Sequence, residues 1–126
     1  MARKLSWLAA TATACVALTL GQGARAQEIP LVTGKQWTQS TEQMKKAYLV
    51  GIANLVQVES AYYNDKPPGD TQSIVPRLAR GLRGHTLDSV RQRVDSWYAA
   101  HPDELSRPVI ETIWFDMVIP GLQPKK

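Results

Sequence analysis

The sequence predicts an all-α fold, a small orthogonal four-helix bundle behind a cleaved signal peptide. Three observations carry that expectation. Apolar residues beyond position 40 recur at spacings of three and four, the signature of a helix face. Helix-starting and helix-stopping residues punctuate these runs at suitable intervals. No stretch alternates with period two, so strands are not expected. A length of 126 residues allows one domain, and 44% hydrophobic with 21% charged residues is the balance of a folded chain. That length excludes a dinucleotide-binding domain with a partner domain, a barrel enzyme and a long solenoid.

The first 26 residues read as the signal peptide. Arg3 and Lys4 precede an apolar run from Leu5 to Leu20, and Ala24-Arg25-Ala26 forms an A-x-A cleavage site before Gln27. The run is shorter than the ~20 residues that span a bilayer, which disfavours an uncleaved anchor. A lipidated Cys15 fits less well, because the apolar run continues past it. Cleavage removes three bases and no acid, leaving 12 bases against 11 acids and a net charge of +1. It also removes Cys15, the one cysteine, so thiol chemistry, cysteine-ligated zinc and disulfides go with it. The expected location is the periplasm or the exterior.

Residues 27–40 read as an arm followed by a helical stub around Trp37, and 41–118 as the helical domain. Ser40 through Gln43 fits a capping box with Ser40 at the N-cap. A long helix over 41–63 follows. Its stripe Met44, Tyr48, Gly51, Leu55, Val58 and Tyr62 has spacings of 4, 3, 4, 3, 4, and Leu49, Ile52, Ala53 and Val56 form a second strip. A helix apolar over so much of its circumference belongs in the centre of a bundle. Gly51 costs about 1 kcal/mol there relative to alanine, which predicts close approach of a neighbouring helix.

The segment 64–70 is a loop. A second helix is expected within 71–82, with Ile74, Val75, Leu78 and Leu82 inward and Pro76 in its first turn, and Gly84 marks its end. Thr86 caps a third helix over 87–100, with Leu87, Val90, Val94, Trp97 and Tyr98 inward. Its wet side carries the pairs Asp88–Arg91 and Arg91–Asp95. His101-Pro102 stops it. Ser106 and Pro108 open a fourth helix over 107–118, ended by Pro120-Gly121, and 119–126 reads as a loose tail.

The residues that carry chemistry are few. His85 and His101 lack metal-ligand spacing and read as surface or capping residues. No G-x-S-x-G elbow or S-x-x-K motif is present, so a serine nucleophile has no local support. No cofactor, metal site or catalytic residue is expected. Glu59 is the acid of interest, because it lies in the most apolar helix beside Tyr62 and Tyr63. A buried carboxyl there would have a raised pKa and could act on a cell-wall glycan, and the simpler reading places it at the edge of the helix or bonds it to a tyrosine hydroxyl.

Charge is unevenly distributed, with a net +4 over 66–93 and −4 over 95–116. Arg77, Arg80 and Arg83 recur every three residues, as a docking stripe for an acidic protein or, second, an anionic lipid surface. A solvated helix face is the simpler reading. Nucleic acid is a poor partner for an exported chain of net charge +1. Trp97 and Trp114 read as core anchors, whereas an exposed Phe115 or Tyr63 would mark a partner-binding patch.

Thr33-Gly34 with Trp37, Lys46 through Ile52, Val94 through Pro102, and Pro108-Val109-Ile110 follow an order that resembles the Tai-type immunity family, grouped with the HdeA-like periplasmic proteins. The resemblance spans most of 33–118. It implies a small all-helical periplasmic protein that works by binding another protein. Tai-type members neutralise cell-wall amidase effectors of type VI secretion, and HdeA is an acid-activated chaperone. The chain departs from both in having no cysteine after Cys15.

Overall fold

The computed structural model describes residues 28–64, 66–70 and 72–124 of the chain. The expected signal peptide lies outside the described residues. The fold is all-α. Among the described residues no strand forms, and one isolated antiparallel bridge joins Thr33 to Pro108.

The stub is a helix, α1 (Gly34–Gln39), and it is a structural keystone. Thr33 caps it, with Gln36 returning a bond to the Thr33 N–H at 2.9 Å. Its first N–H groups donate outside the helix, from Gly34 to the Arg107 carbonyl at 3.0 Å and from Lys35 to that of Leu105 at 2.8 Å. Those donors have no partner within their own helix, so the loop before the C-terminal helices satisfies them. Trp37 is fully buried and joins the core.

The next helix, α2 (Glu42–Tyr62), starts one residue later than the sequence predicts. Thr41 is the N-cap, accepting from Met44 N–H at 3.2 Å. Ser40 instead donates to the Gln36 carbonyl at 2.7 Å and closes α1. Two helices compete for one hydroxyl, and the preceding one takes it.

α2 also sits differently from expectation. Leu49 is its one fully buried residue, with Tyr48, Ile52 and Val56 half-buried beside it. Of the predicted stripe, Met44, Leu55, Val58 and Tyr62 are 61, 57, 66 and 78% exposed. Nothing lies within 4 Å of where a Gly51 side chain would start. α2 is therefore a peripheral helix with one covered face and one open face. The close approaches fall at other glycines. A Cβ on Gly34 would strike the Tyr98 ring, one on Gly81 would lie 2.6 Å from the Val118 carbonyl, and one on Gly121 would strike the Gly81 carbonyl.

α3 (Val75–Gly81) is short, with Pro76 in its first turn and Leu78 in the core. Ile74 precedes it and points to solvent, because proline ahead of Leu78 delays the helix start. Gly84 has the positive φ of a residue following a helix. α4 (Leu87–Ala100) matches its predicted bounds. Thr86 caps it with Ser89, and Val90, Val94 and Tyr98 are buried. Leu87 is exposed, and Trp97 is half-buried rather than an anchor.

The C-terminal helix does not end at Pro120. α5 (Val109–Ile113) runs into a π-helical turn (Trp114–Val118) and then α6 (Ile119–Leu122). Pro120 lies in the first turn of α6, and the wider π turn passes the chain to it without a break. The expected loose tail thus begins as helix. Val109, Thr112, Ile113, Met117 and Val118 are all buried, so this continuous segment holds the central position first read for α2. Gly81 and Gly121 let α3 and α6 pack backbone to backbone.

Candidate functional site

Four of the six residues singled out in the sequence meet in one place. Glu59 and Tyr63 on the end of α2, and Arg80 and Arg83 on α3 and just beyond it, line a cleft of about 250 Å³. Pro67, Pro68, Val75, Pro76 and Ala79 complete its walls. The two helices diverge from the turn at Asn64, whose positive φ of 48° ends α2 and starts the loop. Proline at three wall positions, Pro67, Pro68 and Pro76, fixes φ there and stiffens the rim.

Glu59 is half-buried and accepts from the Ser73 hydroxyl at 2.6 Å. Ser73 Oγ in turn accepts from Val75 N–H at 3.1 Å, one of the unpaired donors at the start of α3. The partner of Glu59 is thus a serine of the loop rather than a tyrosine hydroxyl, and its carboxylate anchors the Ser73 side chain just before α3.

The three arginines do not form one stripe. Arg80 pairs with Asp70 at 3.2 Å, and Arg83 is exposed at the same cleft with no carboxylate partner among the described residues. Arg77 turns the other way, with its guanidinium 5.2 Å from the Trp114 ring centre and its Nε buried without a partner. Helix periodicity explains this. A step of three residues turns 300°, so Arg77 and Arg83 diverge by about 120° around the axis. Tyr63 meets Tyr62 edge-on at 5.0 Å, with part of its ring open to the cleft.

Phe115 is 57% exposed and belongs to a different surface. Arg107 lies between it and Trp97, 5.8 Å from the Phe115 ring centre and 4.5 Å from that of Trp97, while bonding Asp116 at 2.9 Å. His101 stacks on Trp97 at 4.1 Å, and its Nδ1 lies 2.7 Å from the Trp97 carbonyl. Trp97 and Trp114 are thus covered by cations and imidazole at the edge of the core. The aromatic residues at its centre are Trp37 and Tyr98.

Asp95 is the polar residue whose importance sequence reasoning missed. Its Oδ1 accepts from Trp37 Nε1 at 2.7 Å and from Lys45 at 2.8 Å, and its Oδ2 accepts from Arg91 at 3.0 Å. The Arg91–Asp95 pair was visible as a helical spacing, but it faces α2 rather than solvent. Nearby, Lys46 bridges Glu42 at 3.1 Å and Asp88 at 3.3 Å. Those carboxylates raise the Lys46 pKa, and Lys46 in turn lowers that of Asp88. Burial raises the pKa of both Tyr48 and Tyr98.

Ser89 Oγ lies 3.4 Å from His85 Nδ1 but also donates to the Thr86 carbonyl, and no carboxylate pairs with His85 among the described residues. Among those residues no three His, Cys, Asp or Glu side chains cluster as a metal site requires. No helix among them is long and apolar enough to cross a membrane. Comparison of the chain with family models, with curated proteins and with solved structures finds no match.

Proposed function

We propose that this chain is an exported, non-catalytic protein-binding domain that seats an acidic segment of its partner in the α2–α3 cleft. The observation that carries the reading is the convergence there of Arg80, Arg83 and Tyr63 over proline and valine walls. Arginine and tyrosine are the residues that most often anchor protein interfaces, since both combine apolar surface with a polar tip. The volume of about 250 Å³ lies below the usual range for small-molecule sites and suits one or two protein side chains. The stiff rim limits the ordering cost of binding.

The order of short motifs over 33–118 that resembles the Tai-type immunity family supports a role in neutralising another protein, and the pattern of residues 3–26 supports export. A four-helix orthogonal bundle is the architecture that accompanies this reading. Affinity capture from a periplasmic extract tests it. The wild-type protein should retain a partner that the double variant Arg80→Glu/Arg83→Glu loses while keeping its circular dichroism. Equal capture by a folded double variant would reject the cleft.

A second reading, an acid-stress chaperone, draws on the carboxylate network that ties α2 to α4. Acid would weaken the Asp88 link, because Lys46 holds the Asp88 pKa below its ordinary value and the contribution is lost as pH falls through that value, loosening α2 and exposing the core. Unchanged circular dichroism and no ANS binding between pH 7 and 2 would remove it.

A further inference from the structure

We infer that the open face of α2 is the interface between two copies of this chain, packed antiparallel. The cleft proposed above lies on the other side of the helix, so this inference stands apart from it.

The open face has no charge because every charge on α2 is used on the covered side. Glu42 and Lys46 bridge each other and α4, Lys45 reaches Asp95, and Glu59 bonds Ser73. What faces outward is the stripe Met44, Gly51, Leu55, Val58 and Tyr62, with Tyr48 half-buried at its edge. Met44, Leu55, Val58 and Tyr62 are more than half exposed and stand outside the core, whereas Tyr48 at the edge also packs edge-on against Trp37.

The stripe fits a copy of itself. Its alternating spacing of four and three is the seam of two helices packed at a shallow angle. When the second helix runs antiparallel, the same seam read backwards places Met44 against the partner's Tyr62, Tyr48 against the partner's Val58, and Gly51 against the partner's Leu55. The vacancy at Gly51, where nothing lies within 4 Å, receives a leucine, and two-fold symmetry repeats the fit. Parallel packing would set Gly51 on Gly51 and leave a void at the centre of the seam.

The stripe runs along the whole of a 21-residue helix, about 31 Å, and four of its large side chains are more than half exposed, so a second copy covers apolar surface from one end of α2 to the other. Two uncharged faces meet with no ion to desolvate, which favours a self-pairing over a charged partner.

Sedimentation equilibrium of the purified protein tests this directly. The wild type should show a dimer mass at micromolar concentrations. Gly51→Arg should weaken self-association more than about a hundredfold, since it places a charge at the centre of the seam. The open space around position 51 lets the monomer keep its helicity, which circular dichroism checks. In a Cys15→Ser background, Gly51→Cys mixed with Leu55→Cys should oxidise to a cross-linked dimer faster than either variant alone. Arg80→Glu/Arg83→Glu should leave the dimer mass unchanged, separating this interface from the cleft. A monomeric wild type would overturn the inference, whether or not it binds lipid vesicles. So would a dimer that survives Gly51→Arg, or preferential cross-linking of 51 to 51.

Discussion

The two long helices make a useful pair. α4 has 14 residues and buries Val90, Val94 and Tyr98, whereas α2 has 21 and fully buries Leu49 alone. Yet α2 is the more apolar by sequence. α4 carries seven charged or polar side chains from Asp88 to Ser96 and turns its few apolar ones inward. The contrast shows that apolar circumference and central position are separate properties. The central position goes to the segment from Val109 to Val118, which meets α3, α4 and α6, while α2 keeps an apolar surface that the single chain leaves open.

Substitutions that pit one region against the other should rank accordingly. Gly81→Ala presses a methyl group into the Val118 backbone, where neither partner is a flexible side-chain tip, and should cost about 3 kcal/mol in denaturant unfolding. Leu49→Ala should cost a similar ~3 kcal/mol, while Leu55→Ala on the opposite face of the same helix should stay within ~0.5 kcal/mol for the monomer. An equal cost at both positions would break the two-faced description of α2.

Asp95→Ala comes next, at about 2 kcal/mol, because it strands the Trp37 indole N–H and the Lys45 ammonium at the junction of α1, α2 and α4. Near-UV circular dichroism should report the loosened tryptophan. In the monomer, Gly51→Ala should be stabilising by roughly 0.5–1 kcal/mol, since the site is helical and open within the single chain, in contrast with Gly81. The smallest effect belongs to the Lys46–Asp88 pair, which is solvent-exposed. Asp88 has a depressed pKa, chiefly through its hydrogen bond with Lys46, so its contribution is present above the ordinary carboxylate range and is lost as pH falls through the folded value. Lys46 has a raised pKa, so its side of the pair persists until strongly alkaline pH. Asp88→Asn should flatten the acid limb of the stability profile slightly.

Much of the local structure was legible. Thr86 and the stop at His101-Pro102 set α4 to the residue, because a cap and a proline act within one turn of themselves. The site was legible in part. Glu59, Tyr63, Arg80 and Arg83 could be picked out as residue types, but their meeting depended on the angle at which α3 returns along α2. The same angle removed Arg77 from the group and set it on Trp114. Asp95 escaped notice because its partners Trp37 and Lys45 lie 58 and 50 residues away in the chain.

What the sequence determined by itself was therefore the helical class, the Thr86 cap and the end of α4, and the apolar period of each helix. These follow from backbone sterics and from contacts within a few residues. Only the tertiary structure decided which apolar face is covered. Periodicity states that a face wants burial, and it is silent on whether the neighbour comes from the same chain. For α2 the chain covers one side with α3 and α4, and the other side, with Gly51 at its middle, stays open.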